Sequence, residues 1–129
     1  VYLSRQVIEL FRELQMLAGD SEWVLPGRVK DQPLSDAALN QALVGINFNI
    51  PQFTIHDLRR TASTRLNEMG YAGDVIEKAL NHTQAGVRGI YNRAEYREQR
   101  QTMLQFWSDW VTDLIDERKI LVFNFCKTG

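Results

Sequence analysis

Four side chains stand out for the chemistry they could perform together: His56, Arg59, His82 and Tyr91. His56 and Arg59 are three residues apart, and Tyr91 follows His82 by nine. A guanidinium presents a planar fork of donors that matches two phosphate oxygens and stays charged at any working pH. A histidine beside it donates a hydrogen bond or moves a proton near neutral pH. A phenol is a nucleophile once cationic neighbours favour its phenolate and neutralise charge growing on the phosphoryl oxygens. These are the groups needed to grip a phosphodiester and attack it.

The elements that must position them read as helices. Thr54 and Asp57 fit a capping box that starts a helix at Ile55, and Ile55, Leu58, Ala62, Leu66 and Met69 recur at helical spacing until Gly70. His56 and Arg59 then share a helix face, beside a face marked as buried by Leu58, Ala62 and Leu66. Gly73 or Asp74 opens a short helix through Val75, Ile76, Ala79 and Leu80, with Asn81 and His82 at its end. Val87, Ile90 and Tyr91 suggest a further short helix. A long helix is expected over about Glu95 to Asp116, with Tyr96, Met103, Trp107, Trp110 and Leu114 on its apolar face.

Upstream, Ser4 caps a helix carrying Val7, Phe11, Leu14 and Ala18, stopped by Gly19. Val1 to Leu3 reads as the end of a strand, and Trp23 to Leu25 as a short extended piece before the Pro26-Gly27 turn. Ser35 reads as the N-cap of a helix with Leu39, Ala42, Leu43 and Ile46 inside, and Leu34 and Leu39 as its hydrophobic staple. Residues 120–125, ILVFNF, are apolar and β-prone, fitting an edge strand or a segment that docks on another chain. The fold class is mainly α, with at most a few short strands.

The 129 residues suit one domain, and 44% hydrophobic with 24% charged residues is ordinary for a globular protein. No apolar run approaches the roughly 20 residues of a membrane span. The N-terminus is not a signal peptide and lacks an initiator Met, so the chain is expected to be an excised piece of something longer. The single Cys126 rules out an internal disulfide and fits a reducing cytoplasm. Net charge is −1, with a slightly basic balance confined to residues 56–100, too weak to argue for DNA alone.

The order H-x-x-R at His56–Arg59, then Leu80-Asn81-His82, then Tyr91, resembles the C-terminal part of the catalytic domain of tyrosine recombinases, the phage and prophage integrases. The wording FTIHDLRRTASTRLNEMGY, then LNH, then IYNRAEYREQRQTMLQFW, is similar to integrases of prophages and genomic islands. The likeness covers about residues 1 to 115, and 1–116 is expected to be domain, with 117–129 a tail.

The resemblance implies site-specific cutting and rejoining of double-stranded DNA, with no metal and no cofactor. Tyr91 would form the 3′-phosphotyrosyl link, and Arg59 would be the second of the family's two phosphate-binding arginines. His56 would assist proton transfer, and His82 would contact the scissile phosphate. It also implies four protomers on two duplexes. The family's first arginine and its β-hairpin lysine would lie upstream of Val1, so the chain alone is expected to be incomplete for activity.

Read singly, each residue has an ordinary role. His56 suits a helix start, Arg59 a solvated surface like Arg60 and Arg65, His82 the negative end of a helix dipole, and Tyr91 the core. Tyr96 is the rival nucleophile, but its place on the apolar stripe favours packing. Arg93, Arg97 and Arg100 suit a solvated face paired with Glu95 and Glu98, or contact with DNA phosphate. The Trp107/Trp110 pair suits helix packing. Two histidines 26 apart and one distant cysteine do not make a zinc ligand set. A competing reading is a non-catalytic helix-turn-helix-like module over Asp74–Tyr91, with Arg88 on the DNA backbone. A third is a helical interaction domain using the apolar tail.

Overall fold

The computed structural model describes residues 2–29, 31–82 and 95–126, with only the backbone described for 118–126. Among the described residues the protein is helical: α1 Arg5–Ala18, α2 Ala38–Val44, α3 Ile55–Glu68, α4 Gly73–Ala79 and α5 Arg97–Cys126. The chain divides into two compact units, residues 8–70 and residues 1–7 with 71–129.

In the unit of residues 8–70, α1 ends at Gly19, at φ +60, and α3 is followed by Gly70, at φ +88. Both conformations disfavour a side chain, which is why glycine stops each helix. The expected extended piece at Trp23–Leu25 is instead a series of bends. A loop closes behind it, with the Gly27 N–H donating to Gln32 O (2.8 Å) and the Leu34 N–H to Leu25 O (2.8 Å). Pro26 and Pro33 form an isolated antiparallel bridge. Neither proline has an N–H to extend a ladder, so no strand grows from it.

The second helix departs from expectation. Ser35 does not cap it: the Ser35 carbonyl accepts from the Ala38 N–H (3.0 Å), making a turn that delays the helix to Ala38. Of its expected inner face, Leu39 and Ile46 are exposed and only Leu43 is half-buried. The α3 stripe is likewise thinner than its periodicity suggests. Leu66 is buried, whereas Leu58 is 51% exposed. An apolar stripe marks a face that can be covered; it does not supply the cover.

In the other unit the core is α4 against α5. Val75, Ile76 and Met103 are buried, and the Tyr71 ring meets Phe106 at 5.7 Å between centroids. Trp107 and Trp110 pack at 5.1 Å along α5, as helix packing. The first turn of α1 is tied to α5 by polar contacts. The Ser4 Oγ, buried, lies 2.6 Å from Ser108 Oγ and accepts from the Val7 N–H (3.4 Å), so it does cap α1. The Asp109 carboxylate accepts from Gln6 (2.7 Å) and Gln105 (2.9 Å). Those bonds, with nearby Arg5, hold its pKa below the usual carboxylate value.

Two expectations for this unit are corrected. Tyr2 and Leu3 are irregular, not a strand end. The backbone of residues 120–125 is helical, because α5 runs on to Cys126. Extending an existing helix adds one backbone hydrogen bond per residue, and β-propensity is too weak to oppose that without a neighbouring strand. The suggested helix around Val87–Tyr91 lies outside the described residues.

Candidate active site

His56 and Arg59 are placed by the start of α3. Thr54 is extended there, at φ −111 and ψ 166, and both arms of the capping box form. The Asp57 N–H donates to Thr54 Oγ1 (3.2 Å) and the Thr54 N–H to Asp57 Oδ2 (3.0 Å). The Thr54 hydroxyl also donates to Asp57 Oδ2 (2.8 Å). The Ile55 N–H is taken by Asn40 Oδ1 of α2 (2.9 Å). These contacts fix where α3 begins, and so fix His56 as its second residue and Arg59 as its fifth.

Both side chains are exposed, one helical turn apart on the same side. The positive end of the α3 dipole adds to their attraction for an anion. Asp57 is the one carboxylate of the first turn. Its pKa is lowered, chiefly by the Thr54 hydroxyl and backbone N–H, then by Arg60 and His56. Arg60 pairs with Asp57 (3.0 Å) and Arg65 with Glu68 (2.9 Å), as expected of solvated arginines.

His82 belongs to the other unit, just past the C-terminus of α4. Asn81 adopts a left-handed φ of +54. The Asn81 N–H donates to Lys78 O (3.3 Å) and the His82 N–H to Glu77 O (3.0 Å). Those two bonds are the Schellman pattern, which satisfies carbonyls that the helix end would leave orphaned. The His82 ring joins the same residue: Nδ1 lies 2.7 Å from Glu77 Oε2.

The end of α4 is also bound to the start of α5. Lys78 Nζ pairs with Glu95 at 2.9 Å, which lowers the Glu95 pKa. Arg100 Nη1 donates to Lys78 O at 3.5 Å, and Arg100 Nε is buried. Arg100 is therefore not part of a solvated face, and Glu95 takes Lys78 as its salt-bridge partner. Tyr96 stands just before α5, half-buried at φ +45, with its carbonyl accepting from the Arg100 N–H (2.9 Å). Its carbonyl thus accepts at the first turn of α5, which begins at the next residue.

Tyr91 lies outside the described residues. His56 and Arg59 stand together on α3, and His82 stands three residues past the end of α4, against Glu77 of that helix. Among the described residues no group of three or more His, Cys, Asp or Glu is placed to hold a metal ion. No described helix is long and apolar enough to cross a membrane. Glu77, Lys78, Asn81 and Arg100 are the supporting residues that pattern reading missed. The usable signal was an asparagine just after a helical run, a position that favours the left-handed C-terminal turn.

Residues 1–98 match the phage integrase family. The chain belongs to that family. Prophage integrase IntZ of Escherichia coli K12 is 42% identical to this chain over 116 residues, 89% of the chain and 29% of IntZ. Prophage integrase IntA of the same organism is 40% identical over 113 residues, 86% of the chain and 27% of IntA. The integrase of Shigella phage Sf6 is 36% identical over 118 residues, 89% of the chain and 30% of that protein. The chain thus spans less than a third of the length of these relatives. No solved structure matches it. The mainly helical architecture and the tyrosine-recombinase type expected from the residues agree with this membership.

Proposed function

We propose that residues 1–116 form the C-terminal part of the catalytic domain of a site-specific recombinase, acting on prophage or genomic-island DNA. The observation that carries the reading is the pairing of exposed His56 and Arg59 at the capped start of α3, in a chain that matches the integrase family over residues 1–98. Arg59 grips two non-bridging oxygens of the scissile phosphate, and His56 supports that grip and proton transfer. His82 donates a further hydrogen bond to the phosphate.

The Tyr91 oxygen attacks phosphorus, forming a 3′-phosphotyrosyl bond. The bond to the 5′ oxygen breaks, and that oxygen leaves as a hydroxyl after taking a proton. A 5′-hydroxyl attacking the phosphotyrosine reverses the step and rejoins the strands without ATP. The partner is double-stranded DNA at attachment sites, and the working unit is a homo-tetramer. Residues 117–129 serve contacts in trans.

The test uses an intact integrase carrying this sequence and a nicked suicide duplex. The wild type and Tyr96→Phe trap a covalent protein–DNA adduct, and Tyr91→Phe does not. An adduct with Tyr91→Phe, or none with the wild type, refutes the reading.

A further inference from the structure

We propose that Glu77 is the positioning residue of His82, fixing both where the ring stands and which of its nitrogens addresses the phosphate; this rests on the reading of His82 as a phosphate contact. One residue holds His82 twice. The Glu77 carbonyl accepts the His82 N–H at 3.0 Å, and the Glu77 carboxylate takes the ring Nδ1 at 2.7 Å. A carboxylate offers only acceptors, so this contact keeps a proton on Nδ1. The other nitrogen, Nε2, is then the one left to face the phosphate, whose oxygens only accept, so it donates there from the doubly protonated ring.

The helix that carries Glu77 is held by packing and polar contacts. Val75 and Ile76 on the same helix are buried, and the next residue, Lys78, is bound to Glu95 and to Arg100 of α5. Asn81 in its left-handed conformation returns the chain so that the ring of residue 82 reaches back to residue 77. Both side chains are about two-fifths exposed. A pair that open to water adds little to folding stability, so helix termination explains the backbone anchor but stability does not explain the ring contact. Orientation of the ring does.

The experiment measures single-turnover cleavage of the suicide duplex by the intact integrase with Glu77→Ala, Glu77→Gln, His82→Ala and the double alanine variant. By analogy with carboxylates that orient metal-bound histidines, Glu77→Ala lowers cleavage about tenfold. His82→Ala lowers it at least as much, and the double variant is no slower than His82→Ala. Glu77→Gln keeps an acceptor for Nδ1–H and keeps the wild-type rate. In the 129-residue chain, ¹⁵N shifts of neutral His82 report the Nδ1–H tautomer for wild type and Glu77→Gln, and a shift toward Nε2–H for Glu77→Ala.

A wild-type rate for Glu77→Ala beside a slow His82→Ala overturns the positioning role and leaves the recombinase reading standing. Additive losses in the double variant, or an unchanged tautomer in Glu77→Ala, also overturn it. A wild-type rate for His82→Ala removes the role of His82 and this proposal with it, and Tyr91→Phe then reports separately on covalent cleavage.

Discussion

Replacing Thr54 with alanine removes the side-chain half of the α3 cap and leaves two backbone contacts, the residue-54 N–H donating to the Asp57 carboxylate (3.0 Å) and the Asp57 N–H donating to the residue-54 carbonyl (3.1 Å). Loss of such a cap costs about 1 kcal/mol. With a urea slope of roughly 2 kcal/mol per molar, the unfolding midpoint falls by about 0.5 M at pH 7. The pH dependence separates the two lost contacts. The Asp57 pKa is lowered below its ordinary value of 3.8 in the folded protein, with the Thr54 side-chain hydrogen bond as the largest cause. A lowered acid contributes stability that is present above the unfolded value and is lost as pH falls through the folded one.

Thr54→Ala returns the Asp57 pKa part of the way toward 3.8. The gap between wild type and variant is therefore widest at neutral pH and narrows as pH drops below about 3.8. It does not close, because the Asp57 N–H also loses its side-chain acceptor, keeping only the residue-54 carbonyl (3.1 Å), and that loss does not titrate. Urea melts followed by circular dichroism at pH 7, 5, 4 and 3 read this directly. No gap at pH 7, or a gap that widens with acid, refutes the capping argument.

Asn81→Val places a β-branched residue at φ +54 and is expected to lower stability by about 1–2 kcal/mol, whereas Asn81→Gly leaves the thermal unfolding midpoint unchanged or raises it. Met103→Ala, at a fully buried position, costs about 2–5 kcal/mol in urea unfolding. Leu114→Ala, at a position 44% exposed, costs about 0.5 kcal/mol in the same assay. In the intact integrase, Arg59→Lys keeps the charge but loses the fork. Its cleavage of the suicide duplex stays closer to that of Arg59→Ala than to wild type.

What the sequence revealed was local. The start of α3 is legible because Thr54 and Asp57 satisfy each other within four residues, and its end because Gly70 takes a conformation few other residues accept. The integrase likeness rests on an order of residues, which needs no geometry to read. Other features depend on what surrounds a segment. Ser35 has the chemistry of a cap, yet its backbone made a turn first. Residues 120–125 have strand-forming side chains, yet an adjoining helix decided their backbone. The stripe on α3 was visible, but not that Leu58 would stay half exposed. Glu77 was invisible as a partner of His82 because five residues separate them, and only the left-handed turn at Asn81 brings them within 2.7 Å.

Trypsin digestion of the trapped adduct reports which tyrosine carries the DNA, because Arg88 and Arg93 bracket the peptide Gly89–Arg93, while Tyr96 falls in the separate peptide Ala94–Arg97. After nuclease trimming, mass spectrometry should place the phosphonucleotide on Tyr91 within Gly89–Arg93. The modification on Tyr96 within Ala94–Arg97, with Tyr91 unmodified, would contradict the account.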